Sequence, residues 1–402
     1  MRRLKKLVSP ALIIEIVFFI ALFIYFAVLN RYHLFYQEQI QLFRFDRDYF
    51  AGFLSKPGGI SEYLGLFFIQ FYLKPLAGPF IVTLAGIAVF ILTGLIFRKF
   101  RISGIIWSCI PVLLLVSLQS DQAYYLGYTI GFLISLAFIA FYISVKTDYL
   151  RYVAGFVGCV VLYPLAGGFS FIAIAVCIIF EILYRKSNYS LIVSLGYVSL
   201  TALILYLSWH YVYLLPVGSG WMNPIFFVSN PTTKYWLFLL LAYFPFLLIV
   251  TGIWFILSKK PQLQFGWNWK TFSAGLIVFS AFSIGIMKYA YDYKTELLLG
   301  IDKHVQSAEW DKALKLSAKS PGLNRIAVYL TNLALFKSGK MGDRLFYYNQ
   351  FGSSGLWLDW GNDASPFFGC EVFYQLGYIN EAYRWAFEAL VSKGQSPRIL
   401  KR

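Results

Sequence analysis

The stretch "YVAGFVGCVVLYPLAGGFSFIAIAVCIIFEILY", residues 152–184, decides how this chain is read. It holds two short apolar runs, Tyr152–Leu165 and Phe169–Tyr184, joined through "PLAGG". A helix needs roughly 17 to 25 residues to cross hydrocarbon, so both runs are short for a span. They form either a tight transmembrane hairpin or a re-entrant one. Both choices return the chain to the side it left, so the rest of the topology does not depend on which is taken.

Working outward, seven longer apolar segments surround this pair: Pro10–Leu29, Pro79–Phe97, Ile102–Leu118, Tyr128–Val145, Leu191–Trp209, Tyr235–Leu257 and Phe272–Tyr291. Composition agrees. Of 402 residues, 59% are hydrophobic and 13% charged, about half the charged fraction of a soluble domain. The reading is therefore an all-α polytopic membrane protein with about nine helices. Residues 1–293 form the bundle and 294–402 a separate helical domain. The N-terminal run is long enough to be a retained anchor rather than a cleaved signal. Cys109, Cys159, Cys177 and Cys370 have no metal-ligand spacing and read as small buried hydrophobes.

The net charge of +16 does not point to nucleic acid, because much of the excess sits in short loops between apolar segments. With the N-terminus inside, "MRRLKK", "RKFR", Lys146 with Arg151, "YRKS" and "SKKP" all fall on one side. The opposite short loops, "SLQSDQAYY" and "LAGG", carry no Lys or Arg. This is a positive-inside pattern. It places the N-terminus in the cytoplasm and, after nine crossings, the C-terminal domain outside a bacterial inner membrane. Tyr124, Tyr125, Tyr128, Trp209, Tyr211 and Tyr213 crowd segment ends, as interfacial aromatics do.

Three regions lie outside on the far side: a long first loop (30–74), residues 210–234, and the C-terminal region. The last reads as paired helices, with turns at Gly339 and Gly377, a breaker at Pro321, and small Ala313, Ala382 and Ala386 at close approaches. Trp310, Leu314, Tyr383 and Phe387 supply bulky partners. The pattern resembles tetratricopeptide (TPR) repeats, which recur at about 34 residues; here the two turns are 38 apart. A solenoid needs a polar cap at its end. "QSPRILKR" stands where a third hairpin would begin, so either a partner covers it or the architecture is a shortened one. The partners expected of residues 295–402 are envelope proteins.

The first outer loop contains "FRFDRDYF", residues 43–50, with Arg44, Asp46, Arg47 and Asp48 within five positions. An anchor helix, a long external loop with acidic residues near its start, and a dense bundle together resemble the GT-C class of membrane glycosyltransferases. The resemblance implies a carboxylate acting as base for an acceptor, or binding the metal and phosphate of a polyprenyl-phosphate sugar donor. Asp46 and Asp48 are the matching positions, and Arg44, Arg47 and His33 would hold the donor phosphate. The plainer reading is a solvated interfacial helix with Arg44 and Asp48 paired at i, i+4; a third is binding of membrane-lipid headgroups. Residues 210–234 add His210, Trp221 and Asn223 but no carboxylate, which argues against a metal-dependent mechanism; no metal site is read, and the cofactor is left unknown.

Elsewhere, Glu15 in the first crossing is either protonated or paired with Lys5 or Lys6. Glu181 is expected to pair with Arg185, and Asp121 to cap the helix after it. Phosphate-loop, dinucleotide, HExxH and nucleophile-elbow motifs do not occur. Taken whole, with "PGG…YL…QF" and "YQLGYINEAYRWAFEAL", the chain resembles an uncharacterised bacterial inner-membrane family that combines such a bundle with an external repeat domain. Two functions follow: a GT-C-like transferase in envelope glycan assembly, or a membrane-anchored scaffold recruiting envelope proteins. Under either, a reporter fused after Arg402 is expected to be active only outside the cytoplasm. Cytoplasmic activity there would overturn the count of nine crossings.

Overall fold

The structure is a computed structural model and describes residues 10–102, 104–213, 223, 231–258, 269–319, 324–358 and 365–401. No β-strand occurs among the described residues. In chain order the helices are α1 (Pro10–Ile24), α2 (Arg31–Ile40), α3 (Arg47–Leu54), α4 (Gly59–Ile69), α5 (Ala77–Lys99), α6 (Ile105–Gln119), α7 (Leu126–Ser144), α8 (Asp148–Ala166), α9 (Ser170–Ile179) and α10 (Ser190–Leu207). They continue as α11 (Pro231–Ser258), α12 (Trp269–Ala290), α13 (Tyr293–Gln306), α14 (Trp310–Ser317), α15 (Arg325–Lys337), α16 (Met341–Arg344), α17 (Ser365–Leu376), α18 (Ile379–Lys393) and α19 (Pro397–Leu400).

All nine apolar segments fall on helices, but fewer have the length and composition of a span. Six described runs do: Leu12–Leu29, Ala77–Lys99, Leu126–Ser144, Asp148–Arg185, Ser190–Val212 and Thr232–Ser258. The broken pair Ala274–Ala290 and Tyr293–Gln306 makes a seventh if it counts as one. α6 is shorter, at 15 residues, or about 22 Å at 1.5 Å per residue, against a hydrocarbon thickness of about 30 Å.

The Asp148–Arg185 run is not one rod. In a straight helix Arg151 and Glu181 would stand about 45 Å apart, yet Arg151 Nε lies 2.6 Å from Glu181 Oε1. The chain must therefore double back between them. It does so at Gly167, which caps α8 with φ 60°, a backbone conformation that a side chain would strain. α8 and α9 are thus antiparallel neighbours, as the short apolar runs and their "PLAGG" joint implied. α9 continues through a π-turn over Phe180–Arg185.

The chain divides into two compact units. The first contains residues 1–24, 43–68 and 80–290; the second contains 25–42, 69–79 and 291–402. In the first, small residues let helices touch. A Cβ built on Gly65 of α4 would stand 2.4 Å from the backbone nitrogen of Gly127 at the start of α7. Such close approach replaces the hydrophobic drive that is absent between helices in lipid.

In the second unit, α13 to α15 and α17 to α18 pack as sequential neighbours around Ile301, Ala313, Leu330, Leu333, Phe367, Trp385 and Ala386. Asp292 caps α13 and Asn324 caps α15 through side-chain acceptors, as polar N-caps do. Gly377, with φ 88°, turns α17 into α18. Ala313, Ala382 and Ala386 are buried, matching the sequence reading. The bulky residues expected on α18 are different. Tyr383 and Phe387 face outward, and the buried ring is Trp385, which lies where a Cβ on Gly369 would be 2.3 Å away. Only Gly at 369 leaves room for that indole. Pro321 lies outside the described residues.

Truncating Trp385 to Ala is expected to destabilise the second unit by about 3–5 kcal/mol, seen as a large drop in melting temperature of the purified protein. Tyr383→Ala is expected to stay within about 0.5 kcal/mol of wild type. Equal effects of the two would mean that α18 presents the other face to the core.

Candidate functional site

The charged knot between the first two apolar segments is built by local rules. Asp46 is extended, and its carboxylate accepts the backbone N–H of Tyr49 at 2.8 Å, so it is the N-cap of α3. It also pairs with Arg44 at 2.8 Å. The expected Arg44–Asp48 pair is replaced by this shorter-range one. Arg47 and Asp48 stand exposed in the first turn of α3, where a carboxylate suits the helix dipole. Beneath them, the rings of Phe43, Phe50 and Phe53 surround Tyr63 at centroid distances of 5.2, 4.9 and 5.6 Å. Burial and the nearby Glu62 carboxylate push the Tyr49 phenol up to about 12, so it stays protonated near neutrality.

The remaining sequence-chosen residues are dispersed. His33 is buried in the second unit, where its backbone N–H donates to Glu296. Asn223 is buried and joins two segments of the first unit. Its side chain donates to the Pro57 carbonyl at 2.7 Å, and its own carbonyl accepts from Gly168 at 2.9 Å. His210 is hydrogen-bonded to the Tyr206 carbonyl at the exposed end of α10. Trp221, Lys5 and Lys6 lie outside the described residues. Asp121 does not cap α7; it accepts from the backbone of Ala123 at 2.8 Å and from the Thr233 hydroxyl, tying that turn to α11.

Two buried ion-pair networks were not legible in the sequence. In the first unit Arg151 and Glu181 are 1% and 0% exposed. Glu181 also accepts from the Tyr142 hydroxyl at 2.9 Å, and that hydroxyl lies 3.1 Å from Tyr197. Arg151 reaches Asp148 at 2.7 Å, and Arg185 reaches the same carboxylate at 3.0 Å. Glu181 thus pairs across the hairpin and not with Arg185, four residues along. The set carries two positive and two negative charges. Losing one member of such a pair leaves a buried charge uncompensated, which costs about 3–5 kcal/mol.

In the second unit Arg398 binds Asp302 through both nitrogens, at 2.6 and 2.8 Å. Its guanidinium lies 4.5 Å and 4.9 Å from the ring centroids of Phe367 and Phe368. Glu296 accepts the backbone N–H groups of Tyr32 at 2.7 Å and His33 at 3.0 Å. It serves α2 as an N-cap supplied from 263 residues away. His304 lies 3.2 Å from the Tyr32 hydroxyl and 2.6 Å from Glu309. Among the described residues no three His, Cys, Asp or Glu side chains converge as a metal site. In both networks the buried arginine is paired with a buried carboxylate, as in structural ties.

The chain belongs to a family of unknown function, DUF6057, which matches residues 6–402. Comparison with curated proteins and with solved structures finds no match to either. The family therefore covers nearly the whole chain and brings no chemistry with it.

Burial raises the Glu296 carboxyl to about 7, against the lowering effect of the two backbone N–H groups. A raised folded-state value contributes stability that is complete below the ordinary carboxylate range and is lost as pH rises through about 7. The neighbouring His304 is held below its ordinary value by burial. Its contribution runs the other way and is already complete above about 6.5. Between pH 6.5 and 8 the melting temperature of the second unit is thus expected to fall. Glu296→Gln should flatten that slope while lowering stability overall, by about 1–3 kcal/mol for the unsatisfied N–H. A slope unchanged in the Gln variant would remove Glu296 as its source.

Proposed function

We propose that this protein is a multi-pass anchor of a bacterial inner membrane whose TPR-like second unit docks an envelope protein on the extracytoplasmic side. The reading rests on one observation. α18 packs Ala382, Trp385, Ala386 and Ala389 inward, yet Tyr383, Phe387 and Val391, spaced four apart, are 63%, 51% and 70% exposed on its other side. The Tyr383 and Phe387 rings stack with centroids 6.4 Å apart, and the charged Arg384 and Glu388 lie beside them in sequence. An apolar stripe at i, i+4 and i+8 with a charged margin suits an amphipathic helix of a partner.

The transferase reading draws on Asp46, Asp48, Arg44, Arg47 and His33 as a site for a polyprenyl-phosphate donor. It receives less support, because Asp46 is committed to the α3 cap and to Arg44. Asp48 and Arg47 have no ion pair with another described residue.

Complementation of a deletion strain, with membrane abundance measured alongside, separates the two. Tyr383→Glu combined with Phe387→Lys changes only exposed positions and is expected to abolish function at normal abundance. Asp46→Asn keeps a capping side chain, and it and Asp48→Asn are expected to complement fully. Full complementation by the α18 double variant, with loss in either Asn variant, would reverse the assignment, since a catalytic carboxylate is typically worth 10²–10⁴ in rate.

A further inference from the structure

Inside the first unit, a cavity of about 530 Å³ is lined by residues of α1, α5, α6 and the α5–α6 turn, among them Glu15, Arg98, Arg101, Ile105 and Ser108. Three features make it suited to a phosphate. Arg98 and Arg101 are exposed and have no ion pair with another described residue. Arg101 holds a positive φ of 60°. α6 starts at this cavity with Gly104 as N-cap and no side chain on its first N–H groups. Ser108, in the first turn of that helix and only 5% exposed, lines the cavity with no hydrogen bond from its hydroxyl to another described side chain or carbonyl. Two guanidiniums, a helix N-terminus and a buried hydroxyl are the donors that bind phosphate oxygens.

A second, wholly different feature adjoins it. Between α1 and α5 runs an apolar groove of about 440 Å³ lined by Leu12, Ile16, Phe19, Ile20, Phe23 and Ile87. Glu15, Phe90 and Ile91 line both the cavity and the groove, so the two are continuous. Along α1 the groove covers Leu12 to Phe23, about 17 Å at 1.5 Å per residue. A cavity with two guanidiniums against the single carboxylate of Glu15, opening into an otherwise apolar furrow, has the shape of a headgroup and its acyl chain. Arginines at a helix end also sit at headgroup depth, and basic pockets between membrane helices bind anionic headgroups.

We infer that the cavity lined by Arg98, Arg101 and Ser108 binds the phosphodiester of a membrane phospholipid, with one acyl chain in the α1–α5 groove. This site shares no residue with the charged loop or with the α18 stripe, and it holds whichever function those serve. The experiment uses the full chain purified in a neutral maltoside detergent. Thermal stability is followed against added phosphatidylglycerol, against diacylglycerol with the same chains, and against inorganic phosphate. Saturable stabilisation by phosphatidylglycerol alone is expected. Arg98→Gln with Arg101→Gln should weaken its half-saturating concentration by at least tenfold, and Arg98→Lys with Arg101→Lys should recover part of the loss. Ile20→Trp with Ile87→Trp, which fills the groove and leaves every cation in place, should weaken it comparably. Stabilisation by inorganic phosphate as strong as by the lipid and untouched by the tryptophans would overturn the lipid assignment in favour of a free-phosphate site. Equal response of all variants to phosphatidylglycerol, or an equal effect of diacylglycerol, would overturn the site altogether and leave only a general lipid effect.

Discussion

The ion pair between Arg151 and Glu181 is the constraint on which the bundle's central hairpin depends. Two charges taken out of water are costly, and only close geometry with further hydrogen bonds offsets that loss. Here Glu181 receives Arg151 and Tyr142, and Arg151 also meets Asp148. Because the partners stand 30 residues apart in sequence, the arrangement exists only when α8 and α9 lie side by side. Its geometry therefore selects one register of the hairpin. A slip by one helical turn would leave a buried guanidinium and a buried carboxylate unpaired.

Near the other end of that hairpin the ties are backbone ones. Gly58 donates to the Tyr163 carbonyl, Gly168 donates to Asn223, and Asn223 donates to Pro57. Backbone that is not helical is tolerated at membrane depth only where protein satisfies it. This small set of bonds satisfies the non-helical backbone around Gly167. The hairpin is thus held by charge at one end and by amide bonds at the other.

The second unit uses the same logic. Asp302 with Arg398 links α13 to α19, and Glu296 closes the N-terminus of α2. Each joins segments far apart in sequence. By contrast, Tyr383, Phe387 and Val391 on the exposed side of α18 carry no charge to tie to a distant segment. Its buried side is alanine and tryptophan, its outer side two stacked rings and a valine. That asymmetry separates a surface that holds the fold from one that does not.

The sequence by itself determined the class of the molecule, because apolar length and charge placement are local quantities. The nine apolar segments all became helices, the "PLAGG" joint became a reversal, and the turns at Gly339 and Gly377 took positive φ. The Asp46–Arg47–Asp48 run was visible as a charged cluster, since it is contiguous. Whether its carboxylates were free was not visible, because that depends on the amide of Tyr49 and on the Arg44 rotamer. The tertiary structure alone decided the partners of Glu181, Glu296 and Asp302, which lie 30 to 264 residues away. It also decided which ring of α18 is buried. Tyr383 and Trp385 are two residues apart, about 200° around a helix of 3.6 residues per turn, so burying one exposes the other. Gly369 opposite Trp385 settled the choice, and no local pattern on α18 reports what stands on the facing helix.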